Sequence, residues 1–181
     1  MKEYLNFNRI RECFGVNIQS ALLADKEKAF LSEVPTIRFL SDNFGKDKAT
    51  DFVASHLSSI GAFMNVRGFD VKAIRMLAGF IVSEYQYLKV TEFIYFVAKF
   101  NLGCYEKFYG SFEPSVITRS LNIFINDKRE EIDLLERKVK PKERRSYPKG
   151  FTSLSFYRAT QKAKKENNKE FFNKYKEYFN E

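Results

Sequence analysis

The chain has 181 residues, which suits one domain with or without an appendage, and this length can bury a core without disulfides or metal ions. Its 31 Lys or Arg residues outnumber 23 Asp or Glu, and the resulting net charge of +8 favours anionic partners. The two cysteines show no CxxC spacing, the N-terminus lacks a signal-peptide pattern, and no segment reaches the roughly 20 apolar residues of a membrane span. We therefore expect a cytoplasmic protein with no membrane partner.

Apolar residues recur at spacings of three and four along most of the chain, a pattern that predicts an all-α fold. A first helix is expected over Val16 to Leu31. Pro35 is predicted in the first turn of a second helix, which Gly45 ends. A third helix carries an apolar face from Phe52 to Phe63.

The next two predicted helices are the most apolar of the chain. Asp70 is predicted as the N-cap of a helix over residues 71–85, and Thr91 as the N-cap of the helix that follows. Glu92 then lies in a first turn, where the helix dipole favours a negative charge. Gly103 should end this helix, because glycine adopts the left-handed cap conformation at low cost. Together these segments predict a compact bundle of five or six helices.

The segment GCYEKFYGSF, residues 103–112, joins that helix to one that should begin at Glu113-Pro114. Its aromatic side chains have two interpretations, packing on the adjacent helices or forming an exposed platform for a partner. We favour packing for the three aromatic residues between Gly103 and Gly110 and keep partner binding as the alternative for the same side chains: Tyr105, Phe108 and Tyr109.

Positive charge is concentrated at the C-terminal end. Residues 137–181 hold 14 Lys or Arg against 5 Glu, a net charge of +9, and the remainder holds 17 basic and 18 acidic residues, a net charge of −1. The composition changes at KPKERRSYPKGF, where prolines, a glycine and basic residues are typical of an arm or linker. We therefore predict a helical domain over residues 1–139 and a basic arm with one or two short helices over residues 140–181.

This arm is the predicted nucleic-acid-binding segment, because attraction to phosphates requires only positive charge. The predicted contacts are Lys138, Lys140, Lys142, Arg144, Arg145, Lys149, Lys162, Lys164 and Lys165. Aromatic residues alternate with the lysines near the C-terminus, and their helical spacing indicates an apolar stripe that docks on the body of the protein or on a partner. The predicted partner-binding residues of this stripe are Phe171, Phe172, Tyr175 and Tyr178.

The sequence does not support catalysis. His56 is the sole histidine, and its helical spacing with Phe52, Ile60 and Phe63 favours a structural role. Cys104 has no identifiable base beside it, and no glycine-rich phosphate-binding loop is present. We predict no catalytic residue, no cofactor and no metal site.

The segment YQYLKVTEFIYFVAKFNLGCYEKFYGSFEPSVITRSLNIFINDKREE, residues 85–131, resembles a motif in small proteins of Bacteroidales phages and mobile elements. Here Glu106 replaces a frequent glycine, and Glu113 replaces a frequent aspartate. The resemblance implies a helical fold and a mobile-element setting only. By analogy, the placement of such proteins suggests accessories of replication or packaging.

These observations lead to the expectation of a non-enzymatic accessory protein of a phage or mobile element. Its arm would bind nucleic acid without sequence specificity, and its helical body would bind a protein, as in a helicase loader or replication adaptor. The alternative is a structural or packaged virion protein whose arm meets the genome or an acidic capsid surface.

Overall fold

A computed structural model describes residues 4, 6–64, 70–109, 111–139 and 148–179 of the protein. Within these residues the regular structure is helical, and one isolated antiparallel bridge joins Thr36 to Lys89. The chain divides into two compact units, Met1–Leu135 and Glu136–Glu181. The domain boundary after residue 139 stays a prediction, because compactness does not show that either part folds alone.

The helices that begin in the first unit are α1 (Phe7–Cys13), α2 (Gln19–Ala24), α3 (Lys26–Phe30), α4 (Ile37–Phe44), α5 (Lys46–Met64), α6 (Val71–Glu84), α7 (Val90–Asn101) and α8 (Pro114–Val139). Two more, α9 (Ser153–Lys165) and α10 (Lys169–Lys174), belong to the second unit, and short 3₁₀ turns cover Val16–Ile18 and Lys176–Tyr178. The all-α class is confirmed. The predicted five or six helices are not confirmed, since the described residues up to Val139 form eight α-helices.

The single helix predicted over Val16 to Leu31 is wrong. The chain forms a 3₁₀ turn, then α2, and breaks at Asp25, whose φ of −130° and ψ of 89° are not helical. The Asp25 side chain accepts a hydrogen bond from the Lys28 backbone N–H and so caps α3. Aspartate competes for backbone donors in this way, and the apolar spacing alone does not reveal the break.

Two predicted helix starts also need correction. Pro35 precedes α4 rather than lying in its first turn, because Thr36 is the N-cap and accepts from the Phe39 N–H at 3.1 Å. Thr91 lies inside α7, whose N-cap is Lys89. The Thr91 hydroxyl instead donates to the Ala29 carbonyl at 2.8 Å and joins α7 to α3.

The remaining predicted boundaries agree with the structure. Asp70 occupies the N-cap of α6, although its side chain makes no capping hydrogen bond. Gly103 follows α7 with a φ of 73°, the left-handed conformation expected of a terminating glycine. Pro114 is the first residue of α8.

Helix α7 is the centre of the first unit. Ten of its residues are buried, and it packs against α2, α3 and α5. Phe96 lies within ring-contact distance of Phe93, Phe100, Tyr105 and Phe124, so the core continues from α7 into the corner and α8. A helix that is apolar around its whole circumference must be enclosed, and the other helices of this unit supply that enclosure.

A buried ion pair lies at the N-terminal end of α7. Glu92 is 3% exposed, and its Oε2 accepts hydrogen bonds from Lys128 Nζ of α8 at 2.9 Å and from the Lys89 N–H at 3.0 Å. The Lys89 ammonium group donates to the carbonyl of Phe30, the last residue of α3, and to that of Ser32, just beyond it. One polar cluster therefore connects α3, α7 and α8.

His56 is buried in α5, in agreement with its structural interpretation. Its Nε2 donates to the Phe14 carbonyl at 3.0 Å, and its ring contacts Phe52 and Phe93. Burial lowers the pKa of His56 from 6.5 to about 4, and the hydrogen bond to Phe14 opposes this change.

We predict that Lys128→Ala lowers the free energy of unfolding by about 3 kcal/mol, because it leaves the Glu92 carboxylate buried without its cation. Arg75→Ala is the matched control. Arg75 pairs with Asp47 and Asp51 at the surface, where an ion pair contributes less than about 1 kcal/mol. Urea denaturation measures both variants, and equal losses would contradict a structural role for the buried pair.

We also predict that His56 makes the protein less stable in mild acid. The folded-state pKa lies below the unfolded value, so the contribution is complete above pH 6.5 and is lost as the pH falls towards 4. Between neutral pH and about pH 5 the loss is about 2 kcal/mol. His56→Gln keeps a donor for the Phe14 carbonyl but does not titrate, so its denaturation midpoint should change less over this range. Parallel losses in both proteins would show that His56 does not cause the pH dependence.

Candidate nucleic-acid interface

The second unit is built from two short helices whose ends are defined by side-chain caps. The Thr152 hydroxyl accepts from the Ser155 N–H, and the Ser155 hydroxyl accepts from the Thr152 N–H, which fixes the start of α9. Asn167 has a φ of 52°, a conformation that asparagine tolerates better than most residues. Asn168 then caps α10 by accepting from the Phe171 N–H at 3.0 Å.

Phe156 is the centre of an aromatic cluster in this unit. Its side chain is buried, and five rings have centroids 5.4 to 6.2 Å away: Phe151, Phe171, Tyr175, Tyr178 and Phe179. Phe172 extends the cluster through Phe171 and Phe179. The four C-terminal aromatic residues predicted to bind a partner are thus brought together around α9.

This cluster modifies the predicted amphipathic stripe. Phe171, Tyr175 and Tyr178 do lie on one side, but α10 ends at Lys174 and a 3₁₀ turn carries Tyr178. Their contacts with Phe156 provide a docking surface inside the second unit itself. Whether these residues also bind a partner stays a prediction.

Three of the four basic side chains of α9 lie on the face opposite this cluster. Arg158, Lys162 and Lys165 follow one another at helical spacings of four and three, and all three are exposed. The buried residues Phe156 and Ala163 lie on the opposite face. Helix α9 therefore presents one apolar face to its own unit and one cationic face to solvent.

The other predicted contacts fall into two groups. Lys138, Lys149 and Lys164 are exposed, and Lys138 lies in the last turn of α8. Four predicted contacts lie outside the described residues: Lys140, Lys142, Arg144 and Arg145.

On α9, the Lys162 ammonium group lies 3.9 Å from the Glu166 carboxylate. Both side chains are exposed, so solvent weakens the attraction between them.

Two residues that the sequence interpretation missed lie on the same helix. Arg158 belongs to the cationic face, and the exposed ring of Tyr157 lies beside it. The burial of Phe156 determines where Arg158 points. Arg158 follows Phe156 by two positions, and on a helix such a residue faces roughly the opposite side.

The corner between α7 and α8 packs Tyr105 and Phe108 against neighbouring aromatic side chains. Tyr105 contacts Phe96 and Phe100, and Phe108 contacts Phe100 and Phe112, so these two rings extend the core. Burial, with a smaller contribution from Cys104, raises the pKa of Tyr105 well above its usual value. Glu106 accepts two hydrogen bonds from Arg119 and fixes the corner to α8.

Tyr109 does not pack as expected, because its side chain is 90% exposed. The chain places Tyr105 and Phe108 against α7, and Tyr109 follows Phe108 on the solvent side. Partner binding at Tyr109 therefore stays a prediction, and its packing role is wrong.

The described residues contain no cluster of three or more His, Cys, Asp or Glu side chains that could hold a metal ion, and Cys13 and Cys104 are free thiols. Among these residues, no helix has the length and apolar content that crossing a bilayer requires.

A family model described as a family of unknown function (DUF6633) matches residues 69–169, which is more than half of the chain. The chain therefore belongs to this family. The matched segment contains α6, α7, the corner, α8 and α9. No curated protein and no solved structure matches the chain.

Proposed function

We propose that this member of the DUF6633 family is a non-enzymatic accessory protein that binds nucleic acid through the cationic face of α9 and the basic residues around it. The observation that carries the proposal is the separation within the second unit. Aromatic side chains pack around Phe156, while Arg158, Lys162 and Lys165 are exposed on the other face of the same helix.

The charge distribution supports this assignment. Residues 136–181 contain 14 Lys or Arg and 6 Glu, a net charge of +8, whereas residues 1–135 contain 17 basic and 17 acidic residues. The whole net charge of the protein thus belongs to the second unit. A polyanion with closely spaced phosphates gains most from such a surface, because each neutralised phosphate releases counterions.

The chemistry of the surface favours binding without sequence preference. Most of its cations are lysines, which act as flexible point charges and recognise phosphates rather than base edges. The neutral first unit, with the exposed Tyr109, is then left for a protein partner. A replication adaptor or helicase loader of a phage or mobile element combines these two activities.

We predict a steep salt dependence for the full-length protein. If about five cations meet phosphates of a duplex, the plot of log affinity against log salt has a slope of roughly −4 to −5. Replacing Arg158, Lys162 and Lys165 together with Gln should flatten the slope by about two to three, because each lost phosphate contact removes nearly one unit. Fluorescence anisotropy with unrelated duplex and single-stranded oligonucleotides measures these slopes.

The matched control replaces three exposed basic residues of the first unit, Arg38, Lys46 and Lys107, with Gln. It removes the same formal charge and should leave the slope unchanged. Equal flattening in both triple variants would show that only net charge matters and would overturn the assignment to α9. No binding even at low salt would remove the nucleic-acid proposal and favour the alternative of an acidic protein surface, such as that of a capsid.

A further inference from the structure

Helix α6 has an exposed apolar stripe on the face opposite the core. Ile74, Leu77 and Ile81 are buried, and α6 packs against α5. On the outer face, Met76 is 65% exposed and Phe80 is 61% exposed. These two side chains are one helical turn apart, so they form a single apolar surface.

Gly79 lies in the interior of α6, three residues after Met76 and at the edge of the same outer face, where it is half-buried. Glycine there is unfavourable compared with alanine, because it loses more backbone freedom on folding. Gly45 and Gly103 have positive φ values that require glycine, but no such value is found at Gly79. Apart from its chain neighbours and the backbone of its own helix, a Cβ atom built at Gly79 meets no atom within 4 Å, so no packing contact within the described residues requires a glycine at this position.

We propose that α6 pairs with α6 of a second copy of this chain, antiparallel about a two-fold axis near the middle of the helix. Such an interface is self-complementary, since each contact occurs twice with the two copies exchanged. Met76 and Phe80 are equally far from residue 78, so the antiparallel arrangement places Phe80 of one copy opposite Met76 of the other. Gly79, next to this midpoint, allows the two backbones to approach closely.

The charges of α6 fit the same arrangement. Lys72 and Glu84 are exposed near opposite ends of the helix, and among the described residues neither forms an ion pair. They also lie at equal distances from residue 78. The antiparallel arrangement therefore brings Lys72 of each copy to the end at which Glu84 of the other copy lies, whereas a parallel arrangement places like charges together.

Space for the partner helix lies beside Met76. Thr50, Lys72, Arg75 and Met76 line a shallow, open depression of about 430 Å³. The two large side chains bury on the order of 600 Å² when counted on both copies. Polar side chains at the rim add to this area, and the total belongs to the small interfaces of weak complexes. We therefore expect a dimer with a dissociation constant in the micromolar range.

This dimer goes beyond the proposed function and does not depend on it, because α6 and α9 belong to different units. Two joined copies present two basic units to one nucleic acid, which raises the apparent affinity through multivalency. Failure of dimerisation would leave the salt-dependent binding of the monomer intact.

Charge exchange tests the pairing directly. Sedimentation velocity of the full-length protein over a range of concentrations measures the dissociation constant. Lys72→Glu and Glu84→Lys should each weaken the dimer several-fold, and the double variant should restore it, because the two charges again meet as opposites. A protein that stays monomeric at high micromolar concentration, or a double variant weaker than either single variant, would overturn the proposal.

Gly79→Ala provides a second test with two opposite effects. In dilute, monomeric protein it should increase the folding equilibrium constant by about fivefold, because alanine is the better helix former. At high concentration it should weaken the dimer at least about tenfold, because the added methyl group separates the two backbones. Tyr109→Ala, which removes an exposed ring elsewhere in the first unit, is the control and should change neither quantity. A dimer unaffected by Gly79→Ala would contradict close contact at α6.

Discussion

The buried ion pair between Glu92 and Lys128 is the constraint on which the first unit depends. Helix α7 is apolar on all sides, so its enclosure excludes water from the one carboxylate in its first turn. That carboxylate must be neutralised, and Lys128 does so from α8. The position of α8 along α7 is therefore determined by charge as well as by the packing of Phe124 on Phe96. Lys89, by donating to two carbonyls at the C-terminal end of α3, extends the same constraint to a third helix.

The second unit solves a different problem with different residues. It is too short for a large aliphatic core, and it gathers six aromatic rings around α9 instead. Because aromatic side chains bury large areas, few residues are needed inside, and the lysines and arginine are left on the surface. Structure and charge are thus divided between two faces of one helix. This division makes α9 a helical support that holds three cations on one face, an arrangement that a disordered basic tail would not provide.

Local signals in the sequence predicted much of the fold, namely the all-α class, the boundary at Gly103 and the start of α8 at Pro114. The signals failed where tertiary contacts or side-chain caps decide the outcome. Asp25 breaks a segment with continuous apolar spacing, and Thr91 bonds to Ala29 instead of capping α7. For the site, the charge division was visible in the composition. The cationic face of α9 was not visible in the composition, because it depends on Phe156 being the buried residue. The pairing of Lys128 with Glu92 also required the fold, because the two residues are 36 positions apart.

The central claim is that nucleic acid binds to the second unit, on the face of α9 opposite Phe156. Amide chemical-shift mapping of the full-length protein, with an unlabelled duplex oligonucleotide added at low salt, locates the binding surface directly. We expect shifts that are largest around Arg158, Lys162 and Lys165, with the signals of Glu92 and Lys128 unchanged. Shifts concentrated on the first unit would contradict the claim, as would an unchanged spectrum at saturating oligonucleotide.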